Sequence, residues 1–296
     1  MKGNNNMVKG AELDTIQYNI WQEGKERGNF MVEFIKSVAN SFDKNIVLDL
    51  GCGMGGISIM LAKNMKQVIS GDHDLTRLRE VRNRILKEKI PNMALAKFDG
   101  RALPFKNETF DLIIMNGVLE YLGVNSYGQD PEELQINALK EAKRVLKQDG
   151  KLYVAIENRW YPIYLLKDVH SGLAFVTMLP RKIASLYSYV MTRKPYQMYI
   201  HSYWGLKKMY KNAGFNRNEF FIPIFNYQYP LAILPIGRKS EILDFIDGMS
   251  GVQASSEYKV MSVGMIPHVK VWLLKLVLRI GLIRLLSPCF VTLSSK

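Results

Sequence analysis

The passage from Asn45 to Ala62 constrains this chain more than any other. A short apolar run, Ile46-Val-Leu-Asp-Leu50, stops at Gly51-Cys-Gly53-Met-Gly55-Gly56, and Ile57, Ile59, Met60, Leu61 and Ala62 follow with helical character. An apolar run of that length bounded by glycines is a buried strand, and the resumed periodicity is a helix, so the glycines form the turn between them. Glycine lets the main chain come close to a ligand, and a helix N-terminus offers free N–H groups.

The alternation continues. Gln67 to Ser70 reads as a strand ending at Gly71-Asp72, Leu75 to Lys89 as a helix stopped near Pro91, and Met93 to Phe98 as a strand ending at Asp99. Phe110 to Asn116 is a strongly apolar strand, Pro131 to Lys147 a helix closed by Gln148-Asp149-Gly150, and Lys151 to Ile156 the next strand. Strands alternating with helices imply an α/β fold, a mostly parallel sheet doubly wound with helices on both faces. Before this core, Asn4, Asn5 and Asn6 suggest a loose tail and Thr15 to Asn40 one or two helices. After Glu157, Trp160 to Ile200 is rich in aromatics and Leu, poor in acids and punctuated by Pro162, Pro180 and Pro195, which suggests irregular turns with short helices. Tyr203 to Ala213 reads as a helix ended by Gly214, Glu219 to Phe225 as a strand, Val269 to Leu286 as one very apolar helix and Cys289 to Ser294 as a final strand; Leu231 to Val263 fits no element. The expected organisation is an N-terminal helical cap (1–44), a core (45–157), a substrate-side insertion (158–202) and a C-terminal completion of the sheet (203–296) carrying a basic apolar helix, 269–286.

Acids sharpen the glycine turn. Asp49 precedes Gly51 by two residues, and Asp72 closes the next strand. With these, the stretch from Ile46 to Ile156 resembles the class I S-adenosylmethionine-dependent methyltransferases. Asp49, Gly51, Gly53 and Gly55 match the family's first motif, Asp72 its second acid, Asp99 with Gly100 and Arg101 the element after the third strand, and Asn116-Gly117-Val118-Leu119-Glu120-Tyr121 the loop after the fourth. Arg144-Val145-Leu146-Lys147 with Gly150 is similar to the run into the fifth strand. The resemblance implies a Rossmann-like architecture with a substrate-covering insertion and S-adenosylmethionine as cofactor. It places Asp49 at the cofactor's amino-acid end, Asp72 at both ribose hydroxyls, Asp99 at the adenine amino group and Asn116 beside the sulfonium. A carboxylate suits two neighbouring donors because it offers two acceptor oxygens. Taken singly, these acids also suit turn forming or helix capping as a lesser alternative; the ordered set favours the cofactor. His73 and Asp74 compete with Asp72 for the ribose, and Asp72 is preferred because it directly follows Gly71 and the strand. A nicotinamide cofactor is the rival, since Gly51, Gly53 and Gly56 satisfy Gly-x-Gly-x-x-Gly. A dehydrogenase needs neither the Asp99 element nor the Asn116 loop, and the Ser-Tyr-x-x-x-Lys relay is missing.

Methyl transfer is an in-line displacement, so the protein must align a nucleophile and, for a hydroxyl, remove its proton. In open α/β sheets such a base belongs at the carboxyl ends of the strands. Glu157-Asn158-Arg159 directly follows the fifth strand and Asp168-Val-His170-Ser-Gly172 comes soon after. This pair of segments, continuing through Leu179-Pro180-Arg181 and His201-Ser-Tyr-Trp204-Gly205, resembles bacterial methyltransferases of cell-surface glycan assembly. That narrower resemblance implies O-methylation of a sugar or glycan precursor. His170 is the expected base because imidazole titrates near neutrality, with Asp168 holding its ring or acting itself and His201 as second choice. Asn158, Arg159 and His201 are expected to bind the acceptor. A structural hydrogen-bonding role is the ordinary alternative for each. His73, His170, His201 and His268 lack the close spacings of a zinc site, so no metal is expected. Nucleic acid is disfavoured: the Asn/Asp-Pro-Pro-Tyr/Phe motif is absent after the fourth strand, and no RNA-binding module is recognisable.

The net charge is +13, and Arg77, Arg79, Arg82, Arg84, Lys87 and Lys89 crowd one expected helix. Such an excess suits a polyanionic surface or is simply a solvated basic face. In 269–286, Lys270, Lys275, Arg279 and Arg284 interrupt the apolar run, which argues against a membrane span. Peripheral contact with an anionic membrane through this helix would suit a lipid-linked acceptor; burial against the sheet or a partner subunit is the alternative. A lipid or isoprenoid quinone is the second acceptor class, and a non-catalytic cofactor-binding subunit the third reading, disfavoured by the intact acid set. Two distant cysteines, Cys52 and Cys289, and an amino terminus without a secretory pattern suggest a reducing cytoplasm, with peripheral contact at the inner membrane surface.

Overall fold

The computed structural model describes residues 22, 24–38, 45–124, 126, 128–224, 226–249 and 268–296. The expected tail at Asn4 to Asn6, much of the 1–44 cap and positions 250–263 lie outside the described residues. The chain forms two compact units, one made of residues 1–118, 137–153 and 295–296, the other of 119–136 and 154–294.

In the first unit a helix α1 (24–38) precedes β1 (Ile46–Leu50), α2 (Gly56–Ala62), β2 (Gln67–Asp72), α3 (Leu75–Glu88), β3 (Met93–Lys97) and β4 (Phe110–Asn116). The strands lie in the order β3-β2-β1-β4. All three pairings are parallel, with Leu48 opposite both Ile69 and Ile113 and Ser70 opposite Leu95. Val47, Leu48, Val68, Leu112, Ile113 and Ile114 are buried almost completely, as expected for strands covered on both faces. The mostly parallel α/β sheet expected from the alternation is therefore the one observed, and reversal of direction from β1 towards β2 and towards β4 leaves the strand ends beside β1 as the ligand-binding edge.

The next boundary differs from expectation. After α4 (Pro131–Val145), strand β5 (Leu146–Glu157) starts at once, where a turn at Gln148-Asp149-Gly150 was expected. The N–H groups of Glu108 and Thr109 donate to the carbonyls of Arg144 and Val145 at 3.1 and 2.8 Å, and Lys147 pairs with Asp111 at 2.8 Å. These bonds draw the segment alongside the start of β4 and end the helix early.

The second unit contains the end of β5 and most of β8 (Cys289–Ser295), followed in sheet order by β6 (Arg217–Pro223) and β7 (Ile233–Pro235). β6 and β7 are antiparallel, with Ile222 opposite Leu234. The stretch expected to be irregular, Trp160 to Ile200, contains short 3-10 turns at Pro162–Leu165 and Val176–Met178 but also a regular helix, α5 (Arg181–Thr192). It is followed by α6 (Tyr203–Asn212) and, beyond β7, by α7 (Lys239–Met249) within the stretch that sequence could not place. The single helix expected over 269–286 is two, α8 (His268–Arg279) and α9 (Ile283–Leu286). Gly281, at φ 79°, donates to Leu278, and Leu282 donates to Val277; this pair of bonds around a left-handed glycine terminates a helix. In this unit's core Tyr203 and Phe220 each pack edge to face on Phe290 and are tilted against each other. Among the described residues, no helix is long and apolar enough to cross a membrane.

Candidate functional site

The first unit gathers the expected cofactor residues along one edge of its sheet. β1 delivers Asp49 and Gly51, β2 ends at Asp72, the chain leaving β3 carries Asp99 and Gly100, and β4 ends at Asn116. The N–H groups of Gly51 and Cys52 both donate to the carbonyl of Gly71, at 2.8 and 3.0 Å, which ties the glycine turn to the end of β2. Gly51 stands at φ 77°, and a Cβ there would lie 2.5 Å from a methyl of Val118; Gly53 stands at φ 54° with nothing within 4 Å of such an atom. The turn is thus closed beneath Gly51 and open above Gly53.

Asp49 is buried, accepts from the Ser58 hydroxyl on α2, and its pKa is pushed up to about 6, chiefly by burial and partly by the charge of Asp72. Asp72 accepts the N–H groups of Gly53 at 3.0 Å and Asp74 at 2.9 Å. The competitors take other parts: Asp74 caps α3 through the Thr76 N–H, and the His73 side chain is 83% exposed. Asp99 is bonded by the Arg101 guanidinium, which holds its pKa below the usual carboxylate range. At the end of β4, both polar atoms of the Asn116 side chain are buried without a protein hydrogen-bond partner. A close-approach turn, carboxylates at the ends of β1 and β2, and an unpartnered amide at the end of β4 thus lie along the edge where the sequence resemblance puts the cofactor.

The second unit brings together a different set. Tyr121, in the 3-10 turn Leu119–Tyr121, places its hydroxyl 3.3 Å from Nδ1 of His170. The other ring nitrogen, Nε2, lies 2.7 Å from Glu157 Oε2, which also accepts from the Tyr164 hydroxyl at 2.9 Å. Burial pulls the His170 pKa down, but the hydrogen bond and charge of Glu157 outweigh it, and the balance lies above the ordinary imidazole value. Glu120 is completely buried, with both carboxyl oxygens unpartnered within the protein. Burial, aided by the charge of Glu157, raises its pKa to about 8, so the acid is largely neutral at pH 7. Asp168 Oδ1, the Tyr196 hydroxyl and Arg181 Nε, all in the same unit, are likewise buried without hydrogen-bond partners.

Several sequence expectations change here. Asp168 does not hold the imidazole: its Oδ2 accepts from the Ser171 N–H and hydroxyl, closing a local turn, and Glu157 holds the ring instead. Asn158, expected to meet the acceptor, is fully buried; it donates to the carbonyls of Leu285 and Ser287 at 2.8 and 2.7 Å and accepts from Trp160. Arg159 donates to the carbonyls of Thr177 and Leu179, both at 2.6 Å. His201 is buried against Gln135 Oε1 at 2.7 Å, and burial with the nearby Arg181 and Arg159 charges lowers its pKa to about 3. Each of the three is thus engaged by the protein itself, Asn158 through its whole side-chain amide and Arg159 and His201 through part of theirs. Glu120, Tyr121, Tyr164 and the role of Glu157 escaped the sequence reading; only the spacing of Glu120 and Tyr121 after Asn116 pointed to them. Among the described residues, no group of three or more His, Cys, Asp or Glu side chains could hold a metal ion.

A nucleotide-type cofactor edge on a parallel sheet is thus accompanied, elsewhere in the chain, by an acid–imidazole pair. Residues 48–154 match the methyltransferase domain family. The chain is 30% identical over 181 residues to the demethylmenaquinone methyltransferase of Lactiplantibacillus plantarum, covering 59% of this chain and 71% of that protein. It is also 30% identical to a probable S-adenosylmethionine-dependent methyltransferase of Mycobacterium tuberculosis, over 38% of this chain and 36% of that one. Among solved structures, the (4+2)-cyclase SpnF superimposes with a TM-score of 0.50 at 14% identity, over 90% of this chain and 80% of that chain, a likeness of fold alone. The chain belongs to the class I S-adenosylmethionine-dependent methyltransferases. Its cofactor is S-adenosylmethionine.

Proposed function

We propose that this methyltransferase methylates a hydroxyl oxygen of a polyhydroxylated, sugar-like acceptor, with His170 as general base. The observation that carries this reading is the Glu157–His170 pair, 2.7 Å apart, in a unit that also buries the unpartnered polar atoms of Glu120, Asp168 and Tyr196. Buried polar groups lacking protein partners favour a ligand rich in hydroxyls over an apolar one.

The cofactor supplies an activated methyl group. Asp49, the Gly51–Gly55 turn, Asp72, Asp99 with Gly100, and Asn116 are proposed to hold it, in keeping with the edge they form. Glu157 accepts from Nε2–H of His170, which fixes the tautomer and leaves the Nδ1 lone pair as the basic site. Nδ1 then takes the acceptor's hydroxyl proton, either directly or through the Tyr121 hydroxyl beside it. Glu120, kept neutral by burial, donates one hydrogen bond to a neighbouring acceptor oxygen without opposing the developing charge.

The test is S-adenosylhomocysteine release against a panel of nucleotide-linked and lipid-linked sugars and a demethylated quinol. Turnover with a sugar, reduced ~10²–10⁴-fold by His170→Ala with cofactor affinity retained, supports the reading. A second reading, methylation of a quinol, is favoured by the likeness to the Lactiplantibacillus demethylmenaquinone methyltransferase. Turnover confined to the quinol would replace the first proposal, and an unaltered rate in His170→Ala would remove the base.

A further inference from the structure

In the second unit, α5 is built inside out. At about 100° per residue, Ile183, Leu186 and Val190 fall on one face, and the opposite face carries Ala184 and Ser188. The small residues are the buried ones. Leu186 and Val190 are 64% and 62% exposed, and Ile183 is exposed with them. A surface helix ordinarily turns its apolar stripe to the core and its polar face to water, so this helix has an unmatched apolar side. The 3-10 turn Val176–Met178 packs against both α5 and the turn Pro162–Leu165. From that second turn Leu165 and the following Leu166, 79% exposed, also point outward.

The charges around these residues select the partner. Lys167, Lys182, Arg193 and Lys194 are exposed beside them. The only acid between 160 and 200 is Asp168, which is completely buried. An apolar helix face flanked by cations, in a stretch without an exposed acid from 160 to 200, matches an anionic bilayer, where apolar side chains enter the acyl boundary and cations meet headgroups. A second copy of this chain fits less well, because a two-fold contact would set the same cations against each other. The basic apolar stretch 269–286, for which membrane contact and burial are both open from sequence, is less suited. In α8, Lys275 is engaged by Asp247, and Lys239 reaches the Arg279 carbonyl. We infer that α5 and the adjoining Leu165-Leu166 segment form a docking surface for an anionic lipid bilayer.

The test is co-sedimentation of the full chain with phosphatidylglycerol-rich vesicles and with pure phosphatidylcholine vesicles. The expected result is binding to the anionic vesicles alone, falling at least about tenfold in the double variant Leu186→Ser/Val190→Ser, since two apolar side chains no longer enter the acyl boundary. Trp272→Ser on α8 should leave binding unchanged. Both substitutions are on exposed positions, and circular dichroism checks that the fold is kept. Three results would overturn the inference: no binding to anionic vesicles, equal binding to neutral ones, or loss through Trp272→Ser instead. A fourth would reassign the surface: no vesicle binding together with a dimer in sedimentation equilibrium that the α5 double variant dissociates.

Discussion

Replacing Gly51 and Gly53 one at a time by alanine separates two jobs that lie two residues apart. Both stand in left-handed backbone, at φ 77° and 54°, a conformation that costs an L-residue about 1–2 kcal/mol. At Gly53 that is the whole cost to the empty protein, because no atom lies within 4 Å of the added methyl. At Gly51 the methyl would meet one Val118 methyl at 2.5 Å and the other at 3.1 Å, closer than carbon atoms approach. Overpacking of this kind adds about 1–3 kcal/mol, for a total of roughly 2–5 kcal/mol. At about 2–4 °C per kcal/mol in a domain of this size, Gly51→Ala should melt on the order of 10 °C below wild type, and Gly53→Ala only a few degrees below. The open side of Gly53 is where the cofactor is proposed to approach, so Gly53→Ala should lose S-adenosylhomocysteine affinity out of proportion to its melting temperature. Adding Val118→Ala to Gly51→Ala removes the colliding methyls, so the double variant should recover part of the loss, a favourable coupling of about 1–3 kcal/mol. The measurements are thermal melts without ligand and calorimetric titration with S-adenosylhomocysteine. Equal melting of the two glycine variants, or strictly additive effects of Gly51→Ala and Val118→Ala, would refute this account of the turn.

Further outcomes concern the second unit. In Glu157→Gln the His170 pKa should fall, since Glu157 holds it up. The acidic limb of the rate–pH profile should therefore move to lower pH while kcat drops; an unmoved limb would show that the titrating base is another group. Glu120 has its pKa raised from 4.5 to about 8. The wild-type protein should therefore carry this stabilisation in full below pH 4.5 and lose it as pH rises through about 8. Glu120→Gln should flatten that dependence in denaturant melts across pH, and an identical slope in the variant would show that Glu120 ionises freely. Asn158→Ala strands two buried carbonyls, those of Leu285 and Ser287. At about 1–3 kcal/mol for each unsatisfied group, it should lower stability by several kcal/mol while leaving the KM for the acceptor unchanged in the surviving fold, and a raised KM without destabilisation would return Asn158 to the acceptor site.

The sheet of the first unit was legible because its signals are local. Ile46 to Leu50 has nothing polar except Asp49, and the glycines after it mark a turn. The break at Gly281 was less visible: a glycine in an apolar helical run is tolerated or terminal depending on its backbone, and the sequence does not state φ. The protein partners of the expected acceptor residues were illegible for another reason. Asn158, Arg159 and His201 have the chemistry of substrate binders, but what they bind is set by which carbonyls the fold brings to them, 18 residues away for Arg159 and 127 for Asn158. Glu120 stands in the Asn116–Tyr121 loop, but a glutamate is normally solvated, and only its complete burial gives it a role of its own.

The Asn158 clamp also imposes an order on the making of the protein. The residue after Glu157 is fixed through the Leu285 and Ser287 carbonyls, and its own N–H donates to the carbonyl of Pro288 at 2.9 Å. A nascent chain gains β1 to β4 from near neighbours soon after they leave the ribosome, since local contacts form early. The end of β5 must wait for some 130 more residues of translation before it meets its partners, so the half of the chain that carries the acid–imidazole pair is the last to mature. A polypeptide interrupted before Leu285 would have the parts of the cofactor edge but would lack the carbonyls that hold Asn158, the residue next to Glu157.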